Sequence, residues 1–232
     1  MSFRLICAAA AIIFVLTINN ILAMGKTSIG IKGGLNLSNL YGEHVHEDLM
    51  VRPGLIFGAL LHVESSDKFA IQPELLFSMK GYTTKENGIT ERIGFRYIEI
   101  PVLFQYLLAS SGPVIPQFYA GPAISFKAGV DIKNDLKVSK EMIDFYESYL
   151  EELEESKSRS MKGVDLGIVL GTGLGVKSGL GGKFLLDLRV TLGLFKIDKL
   201  TERMKYSGIT EKDLAEVKNF AFSVLAGYLF EF

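Results

Sequence analysis

Eight stretches of the chain alternate apolar residues with small or polar ones. The clearest closes the chain: Phe220, Phe222, Val224, Ala226, Tyr228, Phe230 and Phe232 occupy every second position. Between them lie Ala221, Ser223, Gly227 and Glu231, with Leu225 and Leu229 as the exceptions. Side chains of a strand repeat with a period of two, so this pattern is one apolar face ending in an aromatic. The other seven stretches are 28–36, 53–63, 69–80, 95–108, 117–128, 164–176 and 183–194. Each approaches the length of a membrane-spanning barrel strand, which is about ten residues.

The connections alternate as well. Those at 37–52, 81–94, 129–163 and 195–218 are long, whereas 64–68, 109–116 and 177–182 are short. Long loops on one side and short turns on the other are expected of an outer-membrane barrel, and both chain ends then share a side. The predicted fold is all-β: an eight-stranded antiparallel up-and-down transmembrane β-barrel with long extracellular loops and short periplasmic turns. Pro73, Pro101 and Pro122 fall within predicted strands. Proline cannot donate to the ladder, so they are expected to mark bulges or strained positions. Residues 139–156 and 209–218 carry helix-forming residues, and Glu147, Glu151, Glu152, Glu154 and Glu155 make the first segment acidic. The simplest expectation for it is a solvated surface helix.

On this register the lumen receives Lys32, Gln72, Glu74, Lys80, Glu99, Gln105, Lys127, Asp165, Lys183, Asp187, Arg189 and Glu231. An eight-stranded barrel is narrow enough for side chains to fill it. Buried charges must pair or cost several kcal/mol each. The expectation is a neutralising plug centred on Glu74, Glu99 and Arg189.

Ahead of the first strand, Arg4 precedes an apolar run from Leu5 to Ile18, and Ile21-Leu22-Ala23 offers a cleavage site after Ala23. This predicts a cleaved signal peptide at 1–23 and a barrel domain at 24–232. A permanent anchor fits less well, because Asn19-Asn20 interrupts the run and no stop-transfer charges follow. The lone Cys7 lies in this segment, so the mature chain would hold no disulfide, cysteine nucleophile or cysteine-ligated metal. The net charge of −1 argues against nucleic acid as a partner.

Several of these segments resemble a known family. Gly30-Ile31-Lys32-Gly33-Gly34-Leu35-Asn36, Tyr97-Ile98-Glu99-Ile100-Pro101-Val102-Leu103, Tyr119-Ala120-Gly121-Pro122, Asp165-Leu166-Gly167 and the aromatic last strand are similar to the PorT-like outer-membrane barrels of the Bacteroidetes lineage. The resemblance implies a small barrel in the bacterial outer membrane. One namesake member is associated with protein secretion, a role that does not carry over to every relative.

Catalytic chemistry has little support. Ser78 and Ser125 have no histidine within reach on this topology. Gly171-Thr172-Gly173-Leu174-Gly175 reads as strand glycines with no helix after it, hence not a phosphate loop. His44 and His46, flanked by Glu43, Glu47 and Asp48, offer too few ligands for an expected metal site. No catalytic, cofactor-binding or metal residue is assigned, and no cofactor is expected. The expected partners are outer-membrane lipid, the insertion machinery acting on the C-terminal strand, and an envelope complex. The expected role is structural, adhesive or accessory. The rivals are a soluble lipocalin-like periplasmic ligand-binding barrel, with apolar residues inside, and a narrow channel.

Overall fold

The computed structural model describes residues 25–42, 50–86, 89–109, 111–134, 163–179, 181–195 and 218–231. Eight strands follow one another in chain order: β1 (Lys26–Tyr41), β2 (Met50–Glu64), β3 (Phe69–Glu86), β4 (Ile89–Leu107), β5 (Val114–Asn134), β6 (Val164–Ser178), β7 (Gly182–Gly193) and β8 (Lys218–Glu231). Each pairs antiparallel with its neighbour, and β1 pairs with β8 to close the barrel. Closure removes both sheet edges, as a backbone in hydrocarbon requires.

The period of two sorts the side chains as expected. Ile31 (61 % exposed), Leu35, Phe57, Phe104 (57 %), Phe118, Leu170, Leu186 and Val224 point outward. Lys32, Asn36, Glu74, Ser78, Asp187 and Arg189 are buried within. Phe69 and Tyr106 pack at 5.3 Å with their rings tilted by 56° near the short-turn end, and Tyr228 packs edge-on between Phe184 (5.0 Å) and Phe230 (4.8 Å). These rings form one side of an aromatic girdle. A soluble ligand-binding barrel would place the two classes the other way round. The inner wall is not wholly polar, however: Leu60, Leu76, Leu103, Leu185, Leu225 and Leu229 are also buried. Leu225 and Leu229, exceptions in the sequence pattern, share the inward face of β8 with Ser223.

The proline expectation needs correcting. Neither register shift lies at Pro73, Pro101 or Pro122; one falls between Val51 and Ile56, the other between Arg96 and Tyr97. Each proline interrupts one ladder and stays paired in the other. Pro73 faces Val102 on β4, Pro101 faces Ala123 on β5, and Pro122 faces Ile168 on β6. A strand residue directs its N–H to one neighbour only, so its loss costs one bond and leaves the register intact. The extra residue at the second shift is Ala128, since Arg96 faces Gly129 while Tyr97 faces Lys127.

Residues 81–94, expected as a connection, are almost entirely strand. Gly81 pairs with Gly94 and the ladder runs on to Glu86 and Ile89. Gly81 has φ of 145°, which glycine accepts without strain, so it continues the ladder where a strand end was expected. The β3–β4 hairpin, with β5 alongside it as far as Asn134, therefore rises past the described ends of the other strands. Residues 43–49, with His44 and His46, and the expected helices at 139–156 and 209–217 lie outside the described residues. Lys218 already belongs to β8.

Candidate functional site

The centre of the lumen is organised on Glu74 of β3. Its carboxylate accepts from both terminal nitrogens of Arg189 (2.9 and 3.1 Å), from Lys32 Nζ (2.7 Å) and from Gln72 Nε2 (2.7 Å). Lys32 also donates to Asp187 Oδ2 at 2.7 Å, and Gln117 Nε2 reaches Asp187 Oδ1 at 3.4 Å. The Arg189 guanidinium lies 5.6 Å from the centre of the Tyr119 ring. Two cations face two anions, so the cluster is neutral. Its members come from β1, β3, β5 and β7, since inward side chains from alternate strands of a small barrel meet in one layer.

The glycines of β6 provide the space. A Cβ on Gly171 would overlap the Tyr119 ring, and one on Gly173 would overlap Asp187 and Gln117. The Gly-x-Gly-x-Gly pattern thus thins the wall where the flanking strands β5 and β7 project long side chains.

Two further polar groups continue toward the long-loop end. Ser223 Oγ donates to Asn36 Oδ1 (2.6 Å) and Asn36 Nδ2 donates to Ser78 Oγ (2.8 Å). Beyond them Lys80 pairs with Glu99 at 2.5 Å and lies 5.7 Å from the centre of the Tyr97 ring. Asn219 donates to Asp165 (2.9 Å) and to Tyr97 Oη (3.3 Å). Above this layer Ile93, Phe95, Tyr97 and Val130 form an apolar cap with Leu40 and Tyr82.

Toward the short-turn end, Gln72 Oε1 meets His62 Nδ1 at 3.2 Å, and His62 Nε2 lies 3.5 Å from Glu64. Lys183 sits between Glu64 (2.7 Å) and Glu231 (2.9 Å). A mouth of about 490 Å³ opens here, lined by Lys26, Glu64, Asp67, Lys177, Lys183 and Glu231. Beneath it the space narrows to about 20 Å³, bordered by His62, Gln117, Leu185 and Leu229. That is room for about one water.

The expected lumen set is therefore largely in place. Lys32, Gln72, Glu74, Lys80, Glu99, Gln105, Asp165, Asp187 and Arg189 are buried inside. Lys183 and Glu231 stand at the mouth, and Lys127 is half-buried beside the bulge. The three charges singled out do not form one cluster: Glu74 and Arg189 pair, whereas Glu99 joins Lys80 in a separate layer. Sequence reading missed His62 as a member of the chain of contacts, although its inward parity with Leu60 was a usable signal. Ser78 accepts from Asn36. Among the described residues, no group of three or more His, Cys, Asp or Glu side chains could hold a metal ion.

A closed barrel with a greasy exterior and a charged interior is the arrangement of an outer-membrane protein. The family model described as "Outer membrane protein beta-barrel domain" matches residues 20–199, more than three quarters of the chain. The chain belongs to this outer-membrane β-barrel family. Among solved structures it is similar to the Neisserial surface protein A, with 10 % identity and a TM-score of 0.49, over 89 % of this chain and 99 % of that one. It is also similar to OprG of Pseudomonas aeruginosa, with 12 % identity and a TM-score of 0.45, over 90 % and 98 % of the two chains. Ail of Yersinia pestis, solved with the heparin analogue sucrose octasulfate, is 12 % identical with a TM-score of 0.42, over 88 % and 99 %. The comparison with curated proteins gives no match. As a member of this family the protein resides in the outer membrane, with its apolar strand faces against lipid.

Proposed function

We propose that this barrel is a closed, non-catalytic protein of the outer-membrane wall, with a structural, adhesive or envelope-complex role carried by its outer strand ends and loops. Residues 1–23 act as a cleaved signal peptide, and residues 24–232 form the barrel domain. The C-terminal strand is the element the insertion machinery engages. Within the family, the YIEIPVL segment and the glycine-rich strands support a PorT-like branch of Bacteroidetes type. An accessory role in an envelope complex, secretion included, follows from that branch.

The observation that carries this reading is the neutral cluster of Lys32, Glu74, Asp187 and Arg189 across the bore. Side chains bonded to one another on all sides leave no file of exchangeable sites for a permeant ion. The test is planar-bilayer recording of the refolded mature chain. Current indistinguishable from the protein-free bilayer is expected. Stepwise conductance that disappears in Glu74→Gln or Arg189→Gln would replace this reading with the channel.

A further inference from the structure

The outer face of the protruding β3–β4–β5 edge differs from the rest of the exterior. Up to Met79, Ile98 and Phe126 its outward residues are apolar. Immediately beyond come Arg96, which pairs with Met79 across the β3–β4 ladder, then Arg92 and Lys85, with Asp131 and Lys133 on β5. Arg52 of β2 joins them. Five cations face a single described carboxylate, Asp131, on this surface. The neighbouring strand β6 begins at Val164, level with Phe126, so among the described residues this basic face stands above the adjoining wall. At about 3.3 Å per residue, Lys133 lies roughly 20 Å further along its strand than Phe126.

The face is built on glycine. Gly81 and Gly94 oppose each other across the ladder, and a Cβ on Gly94 would strike the Arg52 guanidinium. A Cβ on Gly129 would strike the guanidinium of Arg96. Two arginine side chains thus lie flat across a furrow with no side chains of its own. Arg52 is held by the Lys80 carbonyl at 3.2 Å, and Arg96 by Asp131 at 3.3 Å and the Val130 carbonyl at 3.5 Å. The Arg96 side chain remains 42 % exposed. Planar guanidiniums held in place suit phosphate oxygens. The height of the arginines suits them too: Arg96 stands two residues beyond Ile98, where the apolar band stops and a headgroup zone several Å deep begins, whereas Lys85 and Lys133 stand beyond that zone.

The geometry points to a docking surface for the phosphate groups of a lipid headgroup in the leaflet next to the long loops, with Arg52 and Arg96 as the fixed contacts. Continuity with the apolar band favours a lipid occupant, because its acyl chains lie against Phe77, Ile98 and Ile124 while its phosphates meet the arginines. This goes beyond the wall role proposed above and does not depend on whether the barrel conducts.

The test uses the refolded mature chain in phosphatidylcholine vesicles, with and without diphosphorylated lipid A. Its unfolding temperature is read from heat-modifiable gel mobility. Lipid A is expected to raise it by about 5 °C or more, the scale of a ligand well above its dissociation constant. The rise is expected to be lost in the Arg52→Gln/Arg96→Gln variant and kept in Lys85→Gln/Lys133→Gln, which alters only exposed side chains beyond the headgroup zone. The single variant Arg96→Gln, expected to halve the rise, keeps the proposal testable should the double variant fail to fold. An equal rise with fully dephosphorylated lipid, or with inorganic phosphate at matched phosphorus, overturns the proposal. So does a rise in the arginine variants equal to that of the parent. A rise that emerges only after Glu151, Glu152, Glu154 and Glu155 are changed to glutamine would assign the face to the chain's own acidic segment instead.

Discussion

Glu74→Gln removes one charge from the middle of the barrel while keeping shape and volume. The native carboxylate accepts four hydrogen bonds, three of them from cations, and is wholly buried. The amide that replaces it has one acceptor atom, and its NH2 turns donors toward donors of Arg189 or Lys32. Lys32 retains Asp187, so the uncompensated charge falls chiefly on Arg189. Breaking a buried pair by removing one partner costs about 3–5 kcal/mol. For a chain of this size that corresponds to a fall in unfolding temperature of about 6–20 °C. Thermal and guanidinium unfolding in vesicles, followed by heat-modifiable mobility and far-ultraviolet circular dichroism, measures it. The double variant Glu74→Met/Arg189→Met leaves the Lys32–Asp187 pair neutral, and should recover at least half of the loss, because apolar replacement of a whole pair is often close to neutral. A Glu74→Gln protein within about 1 kcal/mol of the parent would refute the reasoning, since that is the scale of a solvated surface pair.

Leu170→Arg places a charge on the lipid-facing wall of β6 and should cost about 2–4 kcal/mol of folding free energy in vesicles; a neutral effect would deny that this face meets lipid. Gly171→Val intrudes on the Tyr119 ring and should lower stability by about 1–3 kcal/mol in the same assay, whereas Gly179→Val, whose Cβ meets nothing within 4 Å, should be the milder control. Tyr228→Ala removes two edge-on ring contacts at the short-turn end and should cost about 1–3 kcal/mol beyond lost area, taking about 0.5–1.5 kcal/mol per aromatic pair. Detection of the fully folded, monomeric mature chain in buffer without detergent would contradict the exterior described here.

Strand number, the facing of most residues and the identity of the inward charges could all be read from the chain. Each is a local property: a period of two assigns Lys32, Glu74, Asp187 and Arg189 to one side of the wall whatever the neighbours are. Membrane location followed from the same alternation, because apolar residues on the outer side need a solvent that suits them. Which charge meets which was decided only by closure. Lys32 and Asp187 are 155 residues apart, and they touch because β1 and β7 both flank β8 with a particular stagger. The stagger is a sum over all eight ladders, including the shifts at Val51/Ile56 and Arg96/Tyr97, and no single strand carries it. The same holds for Arg52 over Gly94: the two residues belong to strands separated by β3, and the furrow between them exists only once three registers are set.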